Sequence, residues 1–164
     1  MKNKDININI EDYLLNIRAV AVIKNNNKVL FQKRKQDEFW ALPGGKIRVG
    51  EKGEETICRE LQEELNVTKF NVINCNSVSE YFFTFNDIKF HQYIFSYIVD
   101  VNPEEWIVEN EEFDGVEENE NLIFKWFDLI EINKSPIKPD FLKDQLSNLD
   151  DNAKEVVFTS YIEK

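Results

Sequence analysis

The chain has 164 residues, 42% of them hydrophobic and 13 of them phenylalanine, which is enough to build a sizeable core in a single domain, residues 1–164. Its 20 basic and 31 acidic residues give a net charge of −11, which disfavours nonspecific binding to nucleic acid or to an anionic membrane. The N-terminus has no apolar signal core, and no run approaches the roughly 18 apolar residues of a membrane helix. We therefore expect a cytoplasmic protein that has neither a nucleic-acid nor a membrane partner.

The first elements predicted along the chain are the two strands of a hairpin. Residues 14–24 are rich in β-branched side chains, residues 25–27 are three asparagines that signal a turn, and residues 28–35 form the return strand. Arg34 ends this strand, where it could contact a phosphate or be a plain surface charge. Trp40 follows in the next connection, where its ring could stack on a base or pack beneath the neighbouring loop.

Residues 42–67 combine a glycine-rich loop with an acidic helix, in the sequence LPGGKIRVGEKGEETICRELQEELNV. We predict a helix from about residue 54 to residue 65. Gly53 is a tolerable N-cap, and the glutamates that follow it favour the positive end of the helix. Asn66 stands where the chain leaves the helix in the left-handed conformation, which asparagine tolerates best after glycine.

Three glutamates of this helix share one face. At roughly 100° per residue, Glu63 and Glu64 fall within about 60° of Glu60 on either side. Their mutual repulsion destabilises the helix unless a cation lies among them. Hard oxygen ligands at this spacing suit Mg²⁺ or Mn²⁺, both of which also accept substrate phosphates as ligands. The neighbouring face carries the apolar positions of a core stripe: Ile57, Cys58, Leu61 and Leu65.

The second half of the chain alternates strands with turn signals. We predict strands at 70–79, 80–85, 90–101 and 122–129, a helix at 140–149 and a last strand at 155–162. His91 is the only histidine; on a strand it is more often structural than in contact with a ligand. Residues 102–121 are dense in acid and read as a solvated loop. We expect both cysteines, Cys58 and Cys75, to be small buried residues.

The glycine loop and acidic helix resemble the Nudix box of the MutT-like Nudix hydrolases. Gly45, five residues, Glu51, seven residues, and then the run from Arg59 to Val67 follow the signature Gly-x5-Glu-x7-Arg-Glu-U-x-Glu-Glu-x-Gly-U, in which U is aliphatic. One fixed position differs, because Asn66 replaces the final glycine. The alternative is an acidic surface helix after a glycine turn, and it would not require so many fixed positions at fixed spacing.

The resemblance implies a fold and a set of site residues. The implied fold is α+β, a Nudix-like α/β/α sandwich with a mixed β-sheet and the box helix at its edge. The implied ligands of Mg²⁺ (or Mn²⁺) are the Gly44 carbonyl and the side chains of Glu60, Glu63 and Glu64. The implied catalytic set is Glu63, Glu64 and Arg59, supported by Gly45 and Glu51. Of these, Glu51 and Arg59 are expected to lock the loop onto the helix.

The resemblance also implies a loop carboxylate beyond the box that joins the metal site or acts as a base. Glu118 and Glu120 are the candidates, because they come just before the next strand. Contacts of the substrate with Trp40, Arg34 or His91 are further expectations.

The activity implied is hydrolysis of a phosphoanhydride bond in a nucleoside diphosphate linked to another moiety. Nucleoside triphosphates, sugar nucleotides, ADP-ribose and dinucleoside polyphosphates all meet that description. The alternative is a nucleotide-binding sensor that has lost catalysis. Both a monomer and a homodimer are compatible with the sequence.

Overall fold

A computed structural model describes residues 4–102, 111–150 and 153–163. Part of the acidic stretch, with Glu104, Glu105 and Glu109, lies outside these described residues. The strands are β1 (Asn7–Ile10), β2 (Tyr13–Asn25), β3 (Lys28–Arg34), β4 (Gly44–Lys46), β5 (Phe70–Phe85), β6 (Ile88–Val101), β7 (Glu112–Asp114), β8 (Leu122–Asp128) and β9 (Val157–Ile162). The helices are α1 (Gly53–Leu65), α2 (Phe141–Ser147) and a short 3₁₀ helix (Ile132–Lys134).

The strands form one mixed sheet in the order β7-β8-β3-β2-β6-β5-β9, with β1 and β4 also paired to β2. The pairs β2–β6 and β5–β9 are parallel, and the other pairs are antiparallel. The long strand β2 therefore lies at the centre of the sheet, and it contacts four other strands.

Alternation along β2 divides the core into two layers. Val20 and Val22 belong to the cluster that contains Phe141 and Leu146 of α2, whereas Ala21 belongs to the cluster that contains α1. Because successive side chains of a strand point to opposite faces, the two helices cover opposite faces of the sheet. The architecture is thus the α+β sandwich that the sequence predicted, with two helices on a mixed sheet.

Several boundaries differ from the predicted elements. The segment expected to form two strands is the single strand β5, whose pairing with β6 shifts register between Val72 and Asn74 and between Cys75 and Ser77. Such irregularities bend a strand without ending it. Pairing then runs without interruption from Ser77 to Phe85, so the break predicted after residue 79 is absent. Three short strands, β1, β4 and β7, were not predicted, because each depends on pairing with a distant strand.

The box helix is rotated relative to the predicted core stripe. Its buried residues are Thr56, Ile57, Leu61 and Glu64. Cys58 is exposed and Cys75 is only partly buried, so the expectation that both are buried was wrong. At 100° per residue, the buried sector is centred between Thr56 and Leu61 and includes Glu64, which leaves Cys58 on the solvent margin.

Within residues 4–102, 111–150 and 153–163, no helix combines the length and apolar character needed to cross a membrane.

Candidate active site

Two glycines bring the box loop close to both the sheet and the helix. Gly44 and Gly45 pair with Val20 and Ala19 of β2. Gly44 has a φ of 143°, and a Cβ there would lie 2.2 Å from the carbonyl oxygen of Ala19. A Cβ on Gly45 would lie 2.1 Å from Oε1 of Glu60. The first glycine therefore permits strand pairing, and the second gives room to a carboxylate of the helix.

These two glycines are expected to respond differently to substitution by alanine. Gly44→Ala places a Cβ against rigid backbone at positive φ, so we expect a loss of about 2 kcal/mol or more in the free energy of unfolding. Gly45→Ala meets only the end of the Glu60 side chain, so we expect turnover to fall with a smaller loss of stability. Urea denaturation and initial rates would measure both, and equal losses of stability would contradict this reading of the loop.

A partly buried ion pair fastens the box loop to the helix. Arg59 donates from Nε to Oε1 of Glu51 at 2.7 Å and from Nη2 to Oε2 at 3.0 Å. Glu51 also accepts hydrogen bonds from the Arg48 amide at 3.0 Å and the Thr56 hydroxyl at 2.8 Å. The Arg59 guanidinium, with these further donors, lowers the pKa of Glu51 to about 2. Arg59 also donates to the Lys46 carbonyl at 3.2 Å, so this arginine joins β4, the loop and α1.

The same guanidinium reaches the acidic face of the helix. Nη1 of Arg59 lies 2.5 Å from Oε1 of Glu60 and 3.5 Å from Oε2 of Glu63. The side chain of Glu60 is 14% exposed, and that of Glu63 is 43% exposed. Burial raises the pKa of Glu60, although the contact with Arg59 opposes that effect. In this structure, therefore, Arg59 supplies the cation that lies beside these two carboxylates.

Glu64 is the most deeply placed carboxylate of the box. The residue is 5% exposed, and its Oε2 has no hydrogen-bond partner in the described part of the chain. Burial raises its pKa to about 9, aided by the nearby charges of Glu60 and Glu117, while Arg18 and a hydrogen bond with Gln32 act in the opposite direction. Because a buried polar atom normally has a partner, this oxygen is a candidate contact for a bound ligand.

A loop between β7 and β8 docks on the end of the helix. The Val116 amide donates to the Glu64 carbonyl at 2.8 Å, and the Gly115 amide donates to the Leu122 carbonyl at 2.9 Å. This docking brings Glu117 into electrostatic range of Glu63 and Glu64, and burial is the main reason that the pKa of Glu117 is raised. Glu117 is thus the loop carboxylate that interacts electrostatically with the glutamates of the box. It was not among the residues predicted from the sequence.

Glu118 and Glu120, the loop carboxylates predicted from the sequence, have other environments. Glu118 is exposed. Glu120 accepts from Nη2 of Arg34 at 2.8 Å, in a pair that is about half exposed on each side. Arg34 is therefore held at the edge of the site by a loop glutamate rather than free in solvent.

The sequence model of the NUDIX domain matches residues 15–146, which is most of the chain. This protein belongs to the NUDIX family. The 8-oxo-dGTP diphosphatase of Escherichia coli is 44% identical over 55 residues, which cover 30% of this chain and 43% of the relative. The ADP-ribose pyrophosphatase of Methanocaldococcus jannaschii is 48% identical over 52 residues, which cover 28% of this chain and 31% of the relative. The matched segments span less than half the length of either relative.

Solved structures show the same fold at low sequence identity. The MutT protein of Bacillus halodurans superposes with a TM-score of 0.58 at 16% identity, and the match covers 90% of each chain. A NUDIX hydrolase of Nitrosomonas europaea has a TM-score of 0.57 at 19% identity, covering 90% of this chain and 79% of that one. At such identities the likeness describes the architecture alone.

Asn66 ends the Nudix helix in the way that the sequence predicted. It has a φ of 55° and a ψ of 33°, the left-handed conformation. Its amide donates to the Gln62 carbonyl at 3.0 Å, and the Val67 amide donates to the Leu61 carbonyl at 3.4 Å. The departure from the family pattern at this position is therefore compatible with the helix end. At the other end the N-cap is Lys52, whose amide donates to Glu55 at 2.8 Å, so Gly53 is the first helical residue instead of the cap.

Two residues expected as substrate contacts have other partners. Trp40 is 6% exposed and packs against Phe127 with ring centroids 5.3 Å apart, so the core arrangement is the one observed. Nε2 of His91 lies 3.0 Å from Oε1 of Glu80, and its ring lies 4.3 Å from that of Phe82. These contacts of His91 are with β5, not with the Nudix box.

The box residues have the donor atoms that suit a divalent cation, but in this structure their side chains are not arranged around one. In the ranges that the structure describes, no group of three or more acidic, histidine or cysteine side chains is arranged to hold a metal ion. Arg59 contacts Glu60 and Glu63, two of the three expected side-chain ligands, instead. The carboxylates of Glu60, Glu63 and Glu64 are nevertheless hard oxygen donors, and the unpartnered oxygen of Glu64 is one that Mg²⁺ or Mn²⁺ would satisfy. The residues present therefore fit the divalent ion that Nudix enzymes generally use.

Proposed function

We propose that this Nudix domain, taken as one domain over residues 1–164, is a pyrophosphatase. It hydrolyses a phosphoanhydride bond in a nucleoside diphosphate linked to another moiety, with Mg²⁺ or Mn²⁺. The observation that carries this proposal is the state of Glu64. A carboxylate that is 5% exposed, with one oxygen unpartnered and with Glu60 and Glu117 as close charges, has a strong need for a cation.

The box supplies both the ligands and their support. Glu60, Glu63 and Glu64 would hold the ion, and the Gly44 carbonyl is a fourth expected ligand. A bound divalent ion would offset charge on phosphate oxygens and lower the pKa of a bound water. Arg59 acts as a positioning residue, since it ties Glu51 of the loop to Glu60 of the helix.

The proton of the attacking water requires a base near the carboxylate cluster. Glu63 and Glu117 are the two candidates, because the side chain of Glu63 is 43% exposed and Glu117 is in electrostatic range of it. Burial raises the pKa of Glu117, which makes it a better proton acceptor than an ordinary surface glutamate.

The class of substrate is expected to be a small nucleotide. The relatives act, by their names, on 8-oxo-dGTP and on ADP-ribose, and another is an RNA pyrophosphohydrolase from Vibrio atlanticus. The net charge of −11 disfavours a long polyanion and is compatible with a small substrate bridged by a cation. A cytoplasmic location and a monomeric or homodimeric state stay predictions from the sequence.

The test is a product-release assay on purified protein across oxidised and ordinary nucleoside triphosphates, ADP-ribose, sugar nucleotides and dinucleoside polyphosphates. Each reaction would be run with Mg²⁺, with Mn²⁺ and with EDTA, and Glu64→Gln prepared in the same way would control for contaminating hydrolases. We expect metal-dependent cleavage of at least one class by the wild type only. If the folded protein binds a nucleotide with Mg²⁺ and leaves it intact over hours, the sensor alternative is correct.

A further inference from the structure

Arg18 lies on the central strand, beside the Nudix box. On β2 it is paired with Lys46 of β4 on one side and with Ile94 of β6 on the other. Its side chain is half-buried. The preceding position on the same face of the strand is Asn16, which is 2% exposed and accepts a hydrogen bond from Gln92 at 2.7 Å. The guanidinium therefore extends from a fixed and well-packed part of the sheet.

The charges around Arg18 are those of the active site. The largest favourable charge interaction is with Glu60 and the next is with Glu64, while Arg34 acts in the opposite direction and Asp5 contributes least. Burial alone lowers the pKa of Arg18, as desolvation does for any cation. Glu60 and Glu64 of the box are thus the carboxylates with the strongest attraction to this guanidinium.

Arg18 is also the one arginine without a direct partner in the described part of the chain. The other three make ion pairs there: Arg34 with Glu120, Arg48 with Asp5 and Glu63, and Arg59 with Glu51, Glu60 and Glu63. Neither a hydrogen bond nor an ion pair within 4.0 Å joins the side chain of Arg18 to residues 4–102, 111–150 or 153–163. A guanidinium has five N–H donors, and those of Arg18 find no acceptor among the described residues, so they are open to an outside ligand.

The guanidinium group and its neighbours indicate which type of ligand Arg18 can bind. A guanidinium pairs best with a carboxylate or a phosphate, each of which can accept two parallel hydrogen bonds. Glu60 and Glu64 do not take that role here, and in the proposed reaction they are committed to a cation. A phosphate of the substrate is the other group of this kind that the proposed reaction supplies.

On this basis, which rests on the proposed function, we propose that Arg18 binds a phosphate oxygen of the substrate's pyrophosphate unit and sets the affinity of the ground state. Arg34 is not equivalent, because it must first leave Glu120 to do the same. Arg18 needs no such release, so its contribution appears in binding more than in the rate of the chemical step.

The test measures binding without turnover, using inorganic pyrophosphate as the probe. Pyrophosphate with Mg²⁺ would be titrated calorimetrically into wild type, Arg18→Gln, Arg18→Lys and the charge-matched control Lys28→Gln, a surface residue 3.6 Å from Glu111. We expect Arg18→Gln to weaken Kd by about 10–100-fold, as the loss of a charged hydrogen bond does. Arg18→Lys should recover part of this loss, and Lys28→Gln should stay within about twofold of wild type.

Kinetics on whichever nucleotide the wild type cleaves separate a binding role from a structural one. Arg18→Gln should raise KM by a similar factor and leave kcat within a few-fold, with Tm close to wild type. An unchanged Kd together with a lowered Tm would instead make Arg18 an internal counter-ion of Glu64 and overturn the proposal. A wild type that hydrolyses nucleotides but does not bind pyrophosphate would also overturn it, whereas a wild type that does neither rejects the proposed function as well.

Discussion

Replacing Glu64 with glutamine is expected to abolish most activity while making the metal-free protein more stable. The loss of one group that stabilises developing charge typically lowers kcat by about 10²–10³-fold, and we expect at least 100-fold here. The side chain is 5% exposed, and glutamine preserves its shape, so the fold should survive. A drop in kcat of less than tenfold would remove Glu64 from the metal site.

The gain in stability follows from the direction of the pKa shift. The pKa of Glu64 is raised to about 9 in the folded protein from a reference value of 4.5. Its contribution to stability is therefore complete below about pH 4.5, and it is lost as the pH rises through about 9. At pH 8 the folded side chain is still mostly protonated whereas the unfolded one is ionised, so folding must take up a proton, and glutamine, which is always neutral, removes that cost. Replacing a buried, poorly compensated charge is worth about 1–4 kcal/mol, and each kcal/mol shifts Tm by roughly 2–4 °C in a chain of this size.

Thermal unfolding in EDTA at pH 5 and at pH 8 would measure this effect, with two control variants. Glu63→Gln removes an exposed box glutamate, so it should lower turnover without raising Tm. Glu54→Gln changes an exposed residue of the same helix and should affect neither quantity by much. Addition of Mg²⁺ should raise the Tm of the wild type more than that of Glu64→Gln, since the ion binds the folded state. Equal Tm values for wild type and Glu64→Gln at pH 8 would contradict the assigned environment of Glu64.

The sequence predicted those parts of the site that depend on spacing along one element. Glu60, Glu63 and Glu64 are neighbours because a helix repeats every 3.6 residues, and Glu51 reaches Arg59 because it lies just before the first turn of the helix that carries Arg59. The burial of Glu64 was harder to predict from the sequence, since it depends on which sector of α1 faces the sheet. That sector is set by packing on β2 and not by the helix alone.

The residues that sequence reasoning missed come from distant parts of the chain. Glu117 reaches the box only because the Val116 amide bonds to the carbonyl of Glu64, a docking that no local pattern encodes. Arg18 lies within a strand that is mostly apolar, which predicts a role in the core. Its position beside the box depends on the pairing of β2 with β4. A charged residue in a long buried strand was the available signal, because burial of an unpaired charge is costly.

Removing Arg59 is the second change with a large expected effect, and here stability and activity should both fall. Arg59→Met leaves Glu51 ionised, with a side chain that is 13% exposed and only two other hydrogen-bond donors. Breaking a buried pair in this way costs about 3–5 kcal/mol, because the remaining charge has lost its partner. Glu60 would also lose its 2.5 Å contact, so the carboxylates of the box would no longer be held in register with the loop.

The double variant Glu51→Gln with Arg59→Met separates these two consequences. With neither charge present, most of the lost stability should return, whereas turnover should stay low because nothing positions Glu60. The acid dependence gives an independent check. The pKa of Glu51 is lowered to about 2, so the pair stabilises the fold above about pH 4.5, and this contribution is lost as the pH falls towards 2. Urea denaturation at pH 7 and pH 3 should therefore show a larger acid loss in the wild type than in the double variant. Recovery of turnover in the double variant would mean that the pair only stabilises the loop, and that the carboxylates of α1 hold their arrangement without it.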